Sequence, residues 1–269
     1  MADIKVSPMS GTGDGTDKKF RVEVKVDENE AKRPLTYKIN VKGCDGMYTK
    51  QVNVTQGASN IQVIPEFDYL VIRYWWGKVN DSSLDPETQD YINSLNPTGV
   101  DYDSATAFIN TGLSSSSGPI DNVYVGWSMP ATSATVTVGD APDYYMEWGR
   151  DNQAGGKEAV LLSMNNLLKG HESTLPDVIR INVKGNWYGT RGTGKVYITF
   201  TAYLGGTMAL DKPTYNFINT GGSQVYIGKA VADVSAVGQT NYQNNFSKYS
   251  DVAVISYDKT THAGTIETV

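Results

Sequence analysis

Alternating apolar and polar side chains predict that the chain begins with a small group of β-strands. Residues 19–26, 35–41 and 49–55 each show the period-two pattern of a strand with one buried face. The segments 10–15 and 43–46 are rich in glycine and aspartate, which favour turns. Three or four short strands separated by such turns predict a small immunoglobulin-like sandwich over residues 1–58.

The same pattern continues and predicts a second, larger β-sandwich over residues 59–269. Its first segments, 61–64 and 68–76, form either one long strand or two bent ones. The turn at 258–264 predicts a C-terminal hairpin with 265–269. Further strands are predicted at 106–110, 122–129, 135–138, 144–148, 178–183, 195–203, 224–227 and 252–257.

One short helix is predicted inside the larger domain. Asp85 suits the N-cap, Pro86 suits the first helical position, and Asn96 ends the helix. Residues 158–169 fit both a strand and a helix. The predicted fold class is therefore all-β: a small immunoglobulin-like sandwich followed by a larger, jelly-roll-like sandwich with one or two short helices.

The composition of the 269 residues narrows the choice of partners. The 23 Lys and Arg against 29 Asp and Glu give a net charge of −6, which argues against nucleic acid as a partner. The most apolar run, 67–76, is too short to span a bilayer, so no membrane partner is expected. The N-terminus lacks the long apolar stretch of a signal peptide, which predicts synthesis in the cytoplasm.

The residues that usually carry catalysis occur without partners in the sequence. His171 and His262 lie in polar, turn-like segments, and the single cysteine, Cys44, has no histidine nearby. The glycine-rich segment 189–194 lacks the Lys-Ser/Thr pair and the following helix of a phosphate loop, so it is predicted to be a hairpin loop. We therefore predict that the protein is not an enzyme.

Acidic residues in two segments are the candidates for metal binding. Asp101 and Asp103 alternate in one segment, and the glycine-containing loop 149–158 carries Asp151, Asn152 and Glu158. Carboxylate and amide oxygens are the ligands that Ca²⁺ prefers. The same residues also cap their own backbone in ordinary solvated turns, so both alternatives stay open. Arg150 and Lys157 add positive charge to the loop, which weakens a cation site.

Aromatic residues raise the alternative of sugar binding, because an exposed ring can stack on a sugar. Most of them lie within strand patterns, where packing in a core or a subunit interface is the commoner role. The segment 186–189, with Trp187 and Tyr188 at a strand end, is predicted to be the exposed exception. The candidates are Trp75, Trp76, Trp127, Trp148, Trp187 and Tyr188.

The N-terminal segment resembles a known family of modules. Ser-Gly-Thr-Gly at 10–13, the strand at 20–26, Asn29, Arg33 and the closing Val-Asn-Val-Thr-Gln-Gly at 52–57 are similar to the BACON family. These immunoglobulin-like modules are common in proteins of Bacteroidetes and their phages, and carbohydrate binding has been proposed for them. This copy has no tryptophan, which favours a spacer or docking role over a sugar-stacking surface.

The acidic loop resembles a second family. Residues 147–162, followed by the Pro-Asp segment at 176–183, are similar to the tellurite-resistance (TerD-type) family of calcium-binding β-sandwiches. The segments 101–103 and 108–110 fit the acidic turn and the aromatic-Asn strand of that family. The resemblance implies a TerD-like sandwich in which calcium is held by Asp151, Asn152, Glu158, Asp101 and Asp103.

A bacteriophage virion protein accounts for both resemblances, since BACON-like modules also occur in crAss-like phages of Bacteroidetes. The predicted function is a non-enzymatic structural virion protein, first an auxiliary capsid or decoration protein and second a head-fibre or tail component. Its expected partners are the major capsid protein or other virion proteins and further copies of itself, with weak glycan contact as a secondary hypothesis. A calcium-binding TerD-like protein and a carbohydrate-binding protein are the alternatives.

Overall fold

A computed structural model describes residues 60–77, 79–99, 101–127, 134–153, 156–188, 192–236 and 246–269, together with the backbone of four earlier strands. Residue contacts divide the chain into two compact units, Met1–Asn60 and Ile61–Val269. Each unit is all-β in its described part, apart from short helices in the second.

The first unit contains two antiparallel strand pairs. The predicted strands at 35–41 and 49–55 are confirmed, and they form one of these pairs. A strand near the N-terminus, which the sequence analysis did not identify, pairs with the second half of the segment predicted at 19–26. The strands are β1 (Ile4–Ser7), β2 (Glu23–Val26), β3 (Leu35–Gly43) and β4 (Tyr48–Gln56).

The second unit is a β-sandwich in which, over the described residues, two six-stranded antiparallel sheets face each other. In spatial order the first sheet holds β10 (Val125–Gly126), β7 (Tyr102–Phe108), β14 (Val178–Trp187), β19 (Ser250–Asp258), β20 (Gly264–Thr268) and β5 (Ile61–Ile64). The second sheet holds β11 (Thr137–Val138), β12 (Met146–Trp148), β13 (Lys157–Ser163), β6 (Tyr69–Trp75), β15 (Thr193–Leu204) and β18 (Ser223–Ser235).

The second unit also contains several smaller elements. They are the hairpins β8 (Ser114–Ser115) with β9 (Gly118–Pro119) and β16 (Thr207–Asp211) with β17 (Asn216–Thr220), the helices α1 (Pro86–Leu95) and α2 (Met164–Leu168), and the 3-10 turns Lys212–Thr214 and Phe246–Lys248. No helix in the described ranges is long and apolar enough to cross a membrane.

The main hydrophobic core lies between the two sheets and follows from the period-two pattern. Leu70 and Ile72 of β6 point inward together with Ile181 and Val183 of β14, and all four side chains are fully buried. Full burial of such a side chain contributes roughly 1.5–3 kcal/mol to the hydrophobic stabilisation of the fold. The intervening residues of each strand therefore face outward.

Two elements cover the outer face of the second sheet. The hairpin β16–β17 packs Phe217 against Val71, and helix α1 packs Ile92 against Trp75 at the other end of the same face. The part of this face between the hairpin and the helix stays open as a cleft.

The predicted helix is confirmed, including its ends. The side chain of Asp85 accepts a hydrogen bond of 2.8 Å from the backbone N–H of Thr88, and Pro86 occupies the first position of α1. Asn96 ends the helix in the left-handed conformation with φ 39°. The capping residues therefore determine this element locally.

Each segment predicted as a strand contains one, but some bounds differ: the strand predicted at 106–110 is Tyr102–Phe108, and within 122–129 the described strand is Val125–Gly126. The assignment of strands to sheets also differs from expectation. The segments 61–64 and 68–76 are two strands in different sheets, and 158–169 is β13 followed by the short α2. The prediction of a hairpin across 189–194 is wrong, because β14 and β15 belong to opposite sheets and the chain crosses between them. The C-terminal hairpin of β19 and β20 is confirmed.

Candidate cation site

Three aspartates from two sheets meet at one point of the larger unit. Asp101 precedes β7 and Asp103 lies within it, whereas Asp151 belongs to the loop between β12 and β13. One carboxylate oxygen of each residue lies within 4.8 Å of the other two. Since β7 is in the first sheet and β12 and β13 are in the second, the cluster links the sheets.

Glu158 adds a fourth carboxylate, which points into the sandwich. It lies on the same side of β13 as the core residues Val160 and Leu162, and its side chain is only 1% exposed. Its Oε2 accepts hydrogen bonds from the Ser104 hydroxyl at 2.7 Å and from the Trp148 indole at 3.3 Å. These two donors, which the sequence analysis did not identify, fix the orientation of the carboxylate.

One oxygen of three of these carboxylates lacks a donor among the described residues. These oxygens are Oδ1 of Asp101, Oδ1 of Asp151 and Oε1 of Glu158, and each is buried. A buried polar atom without a partner costs about 1–3 kcal/mol, and more when the group is charged. Two oxygens on opposite sides of a calcium ion lie about 4.6–5.2 Å apart, so the spacing of the aspartates suits such an ion.

The electrostatics of the cluster disfavour four negative charges. Burial, followed by the charge of Asp151, raises the pKa of Asp101 to about 6. Burial raises the pKa of Glu158 to about 8, against the hydrogen bonds from Ser104 that lower it. Burial and the charges of Glu158 and Asp101 raise the pKa of Asp103 well above its ordinary value. A nearby cation would reverse this trend by favouring the ionised forms.

The two cations of the loop do not neutralise the cluster. Lys157 lies on the opposite side of β13 from Glu158 and forms an ion pair with Asp81 on the outer face of the second sheet. The guanidinium of Arg150 donates a hydrogen bond of 2.8 Å to the carbonyl oxygen of Trp148. The expected weakening of the site by both charges is therefore reduced by their placement.

Asn152 has a different position from the four carboxylates. Its side chain is 5% exposed, and its amide donates a hydrogen bond of 2.9 Å to the carbonyl oxygen of Lys157. The asparagine thus closes the loop that carries Asp151. Of the five predicted site residues, the structure brings three aspartates within ligand distance of one ion, couples Glu158 to them through charge, and gives Asn152 a bond that shapes the loop.

The prediction that the aromatic segment 186–189 is exposed is wrong for Trp187. Trp187 is fully buried, because β14 extends to this position and carries the indole into the core beside Tyr102. Tyr188 is 39% exposed and packs edge-to-face against Trp127 with ring centroids 5.6 Å apart. The other candidates Trp75, Trp76 and Trp148 are buried as well.

Comparison with known proteins identifies no relative of the chain. No family model, no curated protein and no solved structure matches it significantly. The BACON-like and TerD-like resemblances therefore stay predictions from the sequence.

Proposed function

We propose that the protein is a non-enzymatic structural protein whose larger domain binds one calcium ion. The observation that carries this proposal is the set of buried carboxylate oxygens at Asp101, Asp151 and Glu158 that receive no hydrogen bond from the described part of the chain. In a folded protein such oxygens are normally satisfied by hydrogen bonds or by a cation.

The chemistry of the cluster favours calcium over softer metals. All four acidic side chains offer hard oxygen ligands, and Ca²⁺ takes six to eight of them in a flexible arrangement. The described cluster contains only carboxylates, with neither a histidine nor a thiol. Such a donor set suits Ca²⁺ or Mg²⁺ and disfavours zinc.

The bound ion would link the two sheets. It would join Asp101 and Asp103 of the first sheet to Asp151 in a loop of the second. Since a ligand that binds only the folded state stabilises it by mass action, calcium would raise the free energy of unfolding. This role needs no acid, base or nucleophile, which agrees with the prediction that the protein is not an enzyme.

Titration of Ca²⁺ into the metal-free chain tests the proposal. Isothermal titration calorimetry at pH 7.5 is expected to show about one ion per chain, as a single cluster of oxygens requires. Asp103→Asn is expected to weaken the affinity for Ca²⁺ at least tenfold, because it removes one charge from the ligand set. The same substitution should raise the stability of the metal-free protein, because it removes a carboxylate that is disfavoured by burial and by the charges of its neighbours.

Asp143→Asn is the matched control, because Asp143 is an exposed aspartate paired with Lys169 on the surface. It should leave the affinity for Ca²⁺ unchanged. Absence of heat with both Ca²⁺ and Mg²⁺, together with an unchanged melting temperature, would contradict the proposal. Tighter binding of Mg²⁺ than of Ca²⁺ would contradict the choice of metal.

We propose a virion as the setting of this structural protein, with an auxiliary capsid role. The exposed apolar residues of the first sheet support an assembly surface: Ile61 is 43% exposed, Val63 is 70% exposed and Val178 is 41% exposed. The BACON-like resemblance of residues 1–58 supports the same setting.

Quantitative mass spectrometry of density-purified particles, from the culture that produces the protein, tests the setting. A copy number close to that of the major capsid protein is expected for an auxiliary capsid protein. A few copies per particle would instead indicate a head-fibre or tail component. Presence in cells and absence from particles would contradict the virion assignment and leave a calcium-binding cellular protein.

A further inference from the structure

A polar cleft lies on the outer face of the second sheet, on the opposite side of that sheet from the core. It is bounded by the turn at 81–83 on one side and by the tip of the β16–β17 hairpin at 211–216 on the other. Arg73, Trp75 and Lys157 form its floor, and its volume is about 220 Å³. The calcium proposal makes no use of this cleft.

The floor contains an arginine in an unusual position. Arg73 lies in the middle of β6, an interior strand, between Ala159 and Thr199 on the neighbouring strands. Its outward-facing neighbours along the strand, Val71 and Trp75, are apolar and covered. A charged side chain at such a position costs desolvation energy unless it has a partner.

Arg73 lacks a complete set of partners in the part of the chain that the structure describes. Its Nε is buried and donates no hydrogen bond, and no carboxylate forms an ion pair with it there. Burial lowers the pKa of the guanidinium, against the charges of Tyr203 and Asp81 and a side-chain hydrogen bond with Tyr203, which raise it. The planar guanidinium is suited to a carboxylate, which accepts hydrogen bonds from its Nη groups.

The carboxylates that line the cleft are already engaged. Asp81 forms an ion pair with Lys157 and also accepts hydrogen bonds from the backbone and hydroxyl of Ser83, at 2.9 Å and 2.6 Å. Asp211 accepts a hydrogen bond from the hydroxyl of Thr214. Among the described residues neither carboxylate forms an ion pair with Arg73, so the guanidinium can donate to a carboxylate from outside the chain.

The rim of the cleft offers groups that suit a sugar. Ser82, Ser83 and Thr214 present hydroxyl groups, Asn216 presents an amide, and Tyr215 and Ile218 add apolar surface. Convergent polar groups beside an apolar wall are typical of small-molecule sites. A bare phosphate or carboxylate ion would use the arginine but leave these rim groups without a role.

We propose that this cleft binds an acidic saccharide, with the sugar carboxylate on Arg73 and the sugar hydroxyls on the rim. D-glucuronate is the probe, and its binding to the full chain is measured by isothermal titration calorimetry. Saturable binding is expected, and D-glucose, which lacks the carboxylate, should bind at least tenfold more weakly. Inorganic phosphate should bind more weakly than D-glucuronate, because it lacks the hydroxyl groups that match the rim.

Substitutions assign this binding to the cleft. Arg73→Gln is expected to weaken the affinity for D-glucuronate at least tenfold, whereas Arg180→Gln, at an exposed arginine of the other sheet, should leave it unchanged. Asp211→Asn should tighten binding several-fold, because it removes a negative charge from the lining. A purely structural role of these residues does not predict opposite effects of the two cleft substitutions.

Three results would overturn the proposal. They are the absence of saturable D-glucuronate binding, equal affinities of D-glucuronate and inorganic phosphate, and unchanged binding in both Arg73→Gln and Asp211→Asn. If Arg73→Gln does not fold, the affinity of Asp211→Asn for D-glucuronate tests the proposal by itself. A higher affinity in this variant requires a folded cleft that binds an anion. Removal of Ca²⁺ is a separate measurement, so failure of one proposal does not affect the other.

Discussion

Without divalent cations, the free energy of unfolding is expected to fall as the pH rises from about 5 to 8. The reason is that burial raises the pKa of Asp101 from 3.8 to about 6 and that of Glu158 from 4.5 to about 8 in the folded protein. A carboxyl group with a raised pKa in the folded state favours folding while it is protonated. This contribution is fully present below the pKa of the unfolded chain and is lost as the pH passes the folded value.

The expected loss is a substantial part of the roughly 5–15 kcal/mol that stabilises a typical domain. A rise of the pKa of Asp101 from 3.8 to about 6 corresponds to about 3 kcal/mol, of which about 1.4 kcal/mol is lost above pH 5. Asp81 titrates outside this window, because hydrogen bonds from Lys157 and Ser83 outweigh its burial and lower its pKa to about 2. The buried acidic cluster therefore dominates the carboxylate contribution between pH 5 and 8.

Urea denaturation in the presence of EDTA, at several pH values from 5 to 8, measures this effect. Calcium should abolish the fall, because the ion favours the charged carboxylates that protons otherwise neutralise. Glu158→Gln should flatten the upper part of the profile, between about pH 7 and 8, since it removes a group whose pKa is about 8. A metal-free stability that rises steadily up to pH 8 would contradict the description of the cluster as buried and uncompensated.

The local elements of the fold follow from the sequence, whereas the sheets do not. The period-two pattern identifies the strands, and the Asp85 cap with Pro86 defines α1 almost to the residue. The same pattern leaves open whether 61–64 and 68–76 form one long strand or two bent ones, whereas the structure sends β5 and β6 to different sheets. Alternation shows which side chains share a face, but pairing depends on contacts between residues distant in the chain.

The acidic cluster could be predicted because its members carry a local signal. Alternating aspartates and a glycine-containing acidic loop mark Asp101, Asp103 and Asp151, and the structure brings them together. The sequence analysis counted Lys157 as a charge at the cation site. Strand periodicity instead places its side chain on the opposite face of β13 from Glu158. The cleft at Arg73 has no sequence signal, because turns near residues 82 and 214 meet only in the folded chain.

Trp187→Ala is expected to reduce the free energy of unfolding by about 3–5 kcal/mol, the range for truncation of a large buried aromatic residue. The indole is fully buried, with its ring centroid 5.3 Å from that of Tyr102. Its Nε1 donates a hydrogen bond of 3.1 Å to the carbonyl oxygen of Gly194. The ring also lies so close to Gly99 that a Cβ atom there would be 2.2 Å from it.

The close packing around this ring explains why the loss should be large. Both Gly99 and Gly192 lie against the indole, and an added Cβ at Gly192 would be 2.8 Å from the Cβ of Trp187. Backbone that approaches a ring so closely cannot easily move into the space left by alanine, so a cavity should remain. The Gly194 carbonyl oxygen would lose its indole donor as well.

Trp127→Ala is the matched control for urea denaturation, because Trp127 is only partly buried and its ring packs against the exposed Tyr188. The same truncation there should cost about 1 kcal/mol, the central value for single substitutions. Equal losses for the two variants would contradict the burial of Trp187. A loss of about 3–5 kcal/mol in Trp187→Ala against about 1 kcal/mol in Trp127→Ala would assign Trp187 to the core.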